Sequence, residues 1–289
     1  MPRRISEYVI EACIRMSGLV VIIFVVSIFL FLLKDSFSLF DGYKIRDFLF
    51  GKSWLPISEP PKFGVVPLLL GSLYVTFGAI VICVPLGVGS AMFIAEVAPS
   101  HLKHVLKSLV EILAAIPSVV LGFIGIVWLG PFLRNHLHLS TGMCGLTGSL
   151  LLAFMALPTV ISISEDALIG VPRAFKEAAF GLGATRWQAL WRIVLPSASS
   201  GIIAAVMLGI GRVIGETMVV MMVTGNSPVI PKSLLQPLRT LTATIAGEMG
   251  ETVAGSEHYF ALFAVGLVLF IITFIINFIA DACLRRARK

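Results

Sequence analysis

The chain has 289 residues, of which 57% are apolar and 13% are charged, with a net charge of +6 and a mean hydropathy of +0.98. Soluble domains carry roughly twice that share of charged residues, so the composition excludes a soluble globular protein and indicates an integral membrane protein. The positive charge need not indicate nucleic acid, because roughly three-fifths of the Lys and Arg fall in segments predicted to be cytoplasmic.

The apolar runs are long and continuous, whereas barrel strands alternate over about ten residues. Only helices and closed barrels span lipid. We therefore predict an all-α, polytopic membrane protein, with the Lys and Arg bias expected of an inner-membrane protein. Its six spans are predicted at residues 16–33, 65–94, 109–133, 146–163, 197–223 and 259–280.

The orientation of the chain follows from its charges. Arg3, Arg4 and Arg15 precede the first span, and the tail LRRARK (284–289) follows the last one, so both termini are predicted to be cytoplasmic. No small-x-small cleavage site follows the first apolar run, which indicates an uncleaved anchor. The polar stretch 34–64 is predicted to be exterior although it carries five basic residues, which departs from the charge rule locally.

Prolines interrupt several predicted spans, namely Pro85, Pro117 and Pro158. Breaks of this kind are tolerated where neighbouring helices or water satisfy the freed carbonyls. Ordinary kinks at packing sites and bends linked to transport remain equal alternatives.

The segment 165–196, hereafter the knob, is polar and lies between two apolar runs. Pro172 suits the first position of a helix, and Gly183 is a natural helix end. Thr185 and Gln188 have the spacing of a capping box for a second helix, which Pro196 stops or kinks. Two capped helices exceed what a simple connection needs and are typical of an element that transmits force to a soluble partner.

The fifth span contains Arg212 and Glu216, in GIGRVIGETMVVMMVTGN (209–226). A charge in mid-bilayer costs a few kcal/mol, so such groups face a partner or a polar cavity. Side chains four residues apart share a helix face and could pair. One interpretation is a structural ion pair; the other is a substrate pathway in which Arg212 binds an oxyanion and Glu216 tethers or releases it. Gly211 and Gly215 form a small-xxx-small pair that predicts close helix packing.

The sequence offers no candidate for catalysis. No nucleophile–base arrangement and no phosphate-binding G-x-x-x-x-G-K-[ST] loop occurs, so the energy source is predicted to be a partner. The histidines lie at predicted membrane edges or in loops. The cysteines, scattered without metal-ligand spacing, are Cys13, Cys83, Cys144 and Cys283. We expect no metal, no cofactor and no enzymatic activity in this chain.

The knob resembles the EAA motif of binding-protein-dependent ABC importer permeases, in which this segment docks into a groove of the ATPase. The resemblance assigns coupling to the ATPase to residues that stand at the motif's spacing: Glu177, Ala178, Ala179, Gly183, Ala184, Leu195 and Pro196.

Nearly the whole chain is similar to the C-type permease subunits of bacterial phosphate-specific ABC importers. Several stretches, such as PLLLGSLYVT (67–76) and EILAAIPSVVLGF (111–123), would fit many importers, whereas GRVIGETM (211–218) and LTATIAGEMGE (241–251) are more specific. The resemblance implies a type I permease core at 65–280 with the coupling loop 165–196. It also implies a peripheral first helix within 1–34, an exterior loop at 35–64 and a cytoplasmic tail at 281–289.

The resemblance further implies a sister A-type permease, a homodimeric ATPase and a periplasmic phosphate-binding protein as partners. Inorganic phosphate would cross the membrane by alternating access, and Arg212 and Glu216 match the family's charged pair. The alternatives are another oxyanion (phosphonate, sulfate or molybdate), a membrane anchor for phosphate-dependent signalling, and an ion channel, against which the capped knob argues. The basic exterior loop is interpreted as a solvated face or as a docking surface for the binding protein.

Overall fold

The structure is a computed structural model that describes the backbone of residues 2–287 and the side chains of residues 8–282. Some side chains lie outside the described residues, namely those of Arg3, Arg4, Cys283 and the basic tail 284–289. The predicted orientation rested in part on Arg3, Arg4 and this tail. The side chains of Arg15 and the remaining basic residues are described.

The described chain is mostly helical, with one short hairpin before the second span. The hairpin pairs β1 (Trp54–Leu55) with β2 (Lys62–Phe63) in antiparallel register. The α-helices are α1 (Pro2–Phe40), α2 (Ile45–Phe50), α3 (Val66–Met92), α4 (Ser100–Ala114), α5 (Ser118–Ile124), α6 (Gly130–His136), α7 (Gly145–Ile169), α8 (Arg173–Gly181), α9 (Arg186–Ala189), α10 (Leu195–Ser197), α11 (Ser199–Gly215), α12 (Met218–Val223), α13 (Leu241–Glu248) and α14 (Glu257–Ala287). Three π-helical turns continue helices, at Phe93–Val97, Gly125–Leu129 and Leu190–Val194.

The all-α membrane architecture is confirmed. Within residues 2–287, five helices are long and apolar enough to cross a bilayer: Tyr8–Phe40, Val66–Val97, Ser118–His136, Gly145–Ile169 and Glu257–Ala282. A sixth span is obtained if the bent pair Arg186–Ser197 and Ser199–Gly215 crosses as one unit.

The third span begins later than predicted. The prediction started it at residue 109, but the helix breaks between Ala114 and Ser118, where Pro117 adopts an extended conformation. Residues 109–114 instead belong to α4, which has no buried residue. A proline disfavours helical backbone in the residue before it, and this effect ends α4. Pro85 and Pro158, in contrast, lie inside α3 and α7 without ending them.

Three buried apolar clusters divide the bundle by depth. The middle cluster joins α3, α7 and α12 through residues such as Val75, Leu152 and Val220. A second cluster lies on the side opposite the knob and includes Trp54 and Phe63 of the first loop. The third cluster lies on the knob side, which we call the inner side. Segments predicted to share a side of the membrane therefore meet in the structure.

The first helix lies at the edge of the bundle. Most of its side chains are exposed, and it packs against α14 through the ring pairs Phe29–Phe270, with centroids 5.3 Å apart, and Phe31–Phe263, at 5.4 Å. This placement agrees with a peripheral N-terminal helix outside a core.

Candidate functional site

The first helix of the knob ends at Gly183 as predicted. Gly183 has a φ of +83°, a conformation that a Cβ disfavours. Its N–H donates to the carbonyl of Phe180 at 2.9 Å, and the N–H of Ala184 donates to the carbonyl of Ala179 at 3.0 Å. These two bonds form a Schellman motif, which satisfies the last carbonyls of α8. Pro172 lies one residue before the helix rather than at its first position.

The second helix of the knob starts with the predicted capping box. The Gln188 N–H donates to Thr185 Oγ1 at 3.3 Å, and the Thr185 N–H donates to Gln188 Oε1 at 2.9 Å. Pro196, however, does not stop this helix, because it occupies the first turn of α10. The chain bends by 67° after Ser197, so the kink follows the proline instead of coinciding with it.

The knob is fastened to the inner ends of two spans. Lys176 Nζ lies 2.5 Å from Glu96 Oε1, in the π-helical turn that ends the second span. Leu190 and Val194 join a buried cluster with Ala95 of that turn and with residues of α3 and α7. A displacement of the knob would therefore be transmitted to α3 and α7 through packed side chains.

Glu165 lies inside α7, where its side chain is buried. The Lys107 Nζ of α4 lies 3.7 Å from its carboxylate and 3.8 Å from that of Asp166. These contacts connect α4 to the inner end of α7.

The tip of the knob exposes apolar side chains. Leu182 is 90% exposed and Trp187 is 61% exposed, and Phe175 and Phe180 are each about half exposed. Exposed apolar groups on a water-facing element mark an interaction surface.

Among the predicted coupling residues, Glu177, Ala178, Gly183 and Pro196 are exposed, Ala184 and Leu195 are half-buried, and Ala179 is buried. Their coupling role stays a prediction.

Arg212 lies in α11, about 20 Å from the inner end of that helix at 1.5 Å per residue. Its Nη1 donates to Thr159 Oγ1 of α7 at 3.1 Å. Thr159 was missed by the sequence analysis, because nothing in its local pattern distinguishes it from a packing threonine. Arg212 is half-buried and forms no ion pair with another described residue.

The structure does not pair Glu216 with Arg212. The helix ends at Gly215, and Glu216 has an extended backbone with φ −71° and ψ 131°, so the spacing expected along one helix face does not apply. The Glu216 carboxylate instead accepts the N–H groups of Met218 at 3.1 Å and Val219 at 3.3 Å. It caps the first turn of α12 inside a broken span.

Different glycines of the fifth span make the close helix contacts. A Cβ on Gly209 would lie 2.7 Å from Val160 Cγ2, and one on Gly201 would overlap Ala167, so these two glycines allow α11 to approach α7. A Cβ on Gly211 or Gly215 would meet nothing within 4 Å in the described chain. The predicted packing of these two glycines does not occur inside the chain, and packing against a second chain stays a prediction.

A charged cluster on the side opposite the knob was also missed. Glu248 Oε1 lies 2.5 Å from Arg239 Nη1, and Glu248 Oε2 accepts from His258 Nε2 at 2.8 Å and from Trp54 Nε1 at 3.0 Å. His258 was predicted only to lie at a membrane edge or in a loop, but its side chain also contacts Glu248. Glu248 ties the first loop, α13 and the start of α14 together.

A multi-span helical bundle with a capped, two-helix knob between its fourth and fifth spans is the architecture of a membrane permease. Residues 84–289 match the family described as "Binding-protein-dependent transport system inner membrane component". The chain belongs to this family and is a multi-pass inner-membrane protein.

Several known proteins are similar to the chain. The probable ABC transporter permease protein YqgH of Bacillus subtilis is 40% identical over 82% of this chain and 77% of its own length. The phosphate transport system permease protein PstC of Mesorhizobium japonicum is 36% identical over 98% and 91%. The structure of the MetNI methionine ABC transporter in inward-facing form matches with a TM-score of 0.60 at 21% identity, over 80% of this chain and 99% of that chain, which shows the shared fold.

Proposed function

We propose that the chain is the permease subunit through which an ATP-driven importer moves inorganic phosphate across the inner membrane. The phosphate transport permeases among its relatives support this substrate. The chain would pair with a sister permease and receive phosphate from a periplasmic binding protein on the side opposite the knob. Both termini would be cytoplasmic.

One observation carries the proposal: the knob has capped helices and exposed apolar side chains, and it is fastened to two spans. Leu182 and Trp187 would gain from burial in a groove of a partner ATPase, because apolar surface contributes about 25 cal/mol for each Å² removed from water. Closure of two ATPase subunits would then move the knob, and the Lys176–Glu96 pair and the packed Leu190 would pass that movement to the spans.

The substrate pathway is proposed to run past Arg212. Its hydrogen-bond partner, Thr159, is neutral, so the guanidinium charge is not neutralised by a carboxylate within the described chain. An uncompensated charge at this depth is tolerated in a water-filled cavity. Gly211 and Gly215 leave the neighbouring surface of α11 open. A cavity between this surface and the sister permease would present Arg212 to an oxyanion, and Glu216 would act through the helix break instead of through direct pairing.

Uptake into reconstituted vesicles tests both the identity of the substrate and the dependence of transport on ATP. The complete transporter should accumulate labelled phosphate only with ATP and the binding protein, and excess unlabelled phosphate should compete. Stronger competition by phosphonate, sulfate or molybdate would reassign the cargo. Uptake without ATP would indicate a channel, and phosphate-dependent signalling without uptake would indicate a membrane anchor.

A further inference from the structure

A polar cavity of about 390 Å³ lies in the first exterior loop, away from Arg212 and the knob. The side chains that can contact a ligand there come from α2, from the turns before and after it and from β2. They are Tyr43, Arg46, Asp47, Lys52, Ser53 and Lys62. Three of these side chains are cationic and one is a carboxylate, so the cavity is positively charged.

The three cations have no partners within the described chain. Arg46, Lys52 and Lys62 form no ion pair or side-chain hydrogen bond with any described residue, although an acidic residue, Asp47, lies in the same cavity. Like charges that converge on one cavity repel each other, and an anion in the cavity would relieve this repulsion.

The cavity is held in shape by the fold. Gly51 and Gly64 pack backbone against backbone, so closely that a Cβ on Gly64 would overlap Gly51. The neighbouring Phe48 and Phe63 are fully buried. Tyr43 Oη accepts the N–H of Phe63 at 3.1 Å, which leaves the phenolic proton free to be donated to a ligand. A preformed cavity does not need to be ordered when its ligand binds.

We propose that this cavity binds a phosphate group on the exterior side of the membrane. Arg46 would supply a bidentate donor, Lys52 and Lys62 would supply point charges, and Tyr43 would supply a hydroxyl donor. The group belongs either to free inorganic phosphate or to the headgroup of an anionic lipid. The exposed Phe50 at the cavity rim, with the exposed Ile45 and Leu49 on the same helix, would contact the acyl region in the second case. The site is independent of the proposed pathway at Arg212.

The test compares two triple variants of the full-length chain in nanodiscs. The cavity variant removes all three cations of the cavity, by Arg46→Gln, Lys52→Gln and Lys62→Gln. The control variant removes the same number of charges from exposed positions outside the cavity, by Arg134→Gln, Lys44→Gln and Lys232→Gln. One arm measures binding of labelled inorganic phosphate in phosphatidylcholine discs, in the Arg212→Gln background so that only sites other than Arg212 count. The other arm measures phosphatidylglycerol retained from mixed discs by native mass spectrometry.

The cavity variant should bind one of the two probes roughly tenfold more weakly than the control variant, as expected for lost charge-assisted hydrogen bonds, and the affected arm identifies the source. A variant that exchanges Lys and Arg at the three cavity positions should keep binding, and the single Lys62→Gln variant serves if the triple variant does not fold. Equal binding by cavity and control variants, or no binding of either probe by the unmodified cavity, would overturn the proposal.

Discussion

Lys176 of the knob and Glu96 at the inner end of the second span form an ion pair, with 2.5 Å between Nζ and Oε1. Both side chains are about four-fifths buried, at 22% and 19% exposure. They lie 80 residues apart in the sequence. A single charge pair thus fastens the first helix of the knob to a membrane span, in addition to the apolar packing of the second helix.

The first prediction concerns this fastening. Lys176→Met leaves the Glu96 carboxylate partly buried without its partner, which should destabilise the contact by about 1–3 kcal/mol, less than for a fully buried pair. ATP-driven uptake should fall while ATP hydrolysis continues. The ATPase would still bind the knob, but movement of the knob would displace the second span less. Exchange of the two residues, Glu96→Lys with Lys176→Glu, should restore part of the uptake. Unchanged coupling in Lys176→Met would show that apolar packing alone transmits the movement.

The second prediction uses two glycines of the same helix end. Gly183→Ala places a Cβ on a residue with φ +83° and should destabilise the knob by about 1 kcal/mol. Gly181→Ala is the matched control, because Gly181 is helical and a Cβ there meets nothing within 4 Å. Co-purification of the ATPase should weaken in the first variant and not in the second. If both substitutions weaken co-purification of the ATPase equally, the left-handed conformation of Gly183 does not explain the effect.

A third prediction separates packing inside the chain from packing against another chain. Gly209→Val should destabilise the isolated chain by about 1–3 kcal/mol, because the new side chain overlaps Val160. A Cβ at Gly211 meets nothing within 4 Å in the described part of the chain, so Gly211→Val should leave the thermal stability in detergent unchanged. If the surface at Gly211 faces a sister permease, the same variant should fail to assemble with that subunit. Normal assembly of Gly211→Val would place the shared cavity elsewhere.

The elements that were predicted correctly depend on local chemistry. Gly183 ends a helix and Thr185 with Gln188 starts one, because backbone freedom and capping act within a few residues. The length of the apolar runs likewise predicts the five unbroken spans, and a sixth is obtained if the bent pair crosses as one unit.

The elements that were predicted wrongly depend on tertiary contacts. Glycine spacing along the fifth span does not reveal which helix face meets α7: Gly209 makes that contact, and packing of Gly211 and Gly215 against a second chain stays a prediction. The helix ends at Gly215, which was interpreted as a packing residue, and the break at Glu216 removed the expected pairing with Arg212. No periodic pattern connects Trp54 to Glu248, which meet only in the folded chain.

The fourth prediction concerns that last contact. Glu248→Ala would leave Arg239 largely buried without its counter-ion and would remove the acceptor of Trp54 Nε1. The chain should lose about 2–4 kcal/mol of stability, and proteolysis should occur more readily in the first exterior loop. Glu251→Ala removes an exposed carboxylate nearby and is the control. If both variants melt alike and are cleaved alike, the cluster does not fasten the loop.

The most direct measurement for the proposed pathway is phosphate uptake by Arg212 variants of the assembled transporter. Arg212→Gln keeps a hydrogen-bond donor for Thr159 but loses the charge, so uptake of labelled phosphate should fall at least about a hundredfold while the complex assembles and hydrolyses ATP. Arg212→Lys should retain part of the uptake, since a cation remains. Uptake by Arg212→Gln at normal rate and affinity would contradict the account, because phosphate would then cross the membrane without this arginine.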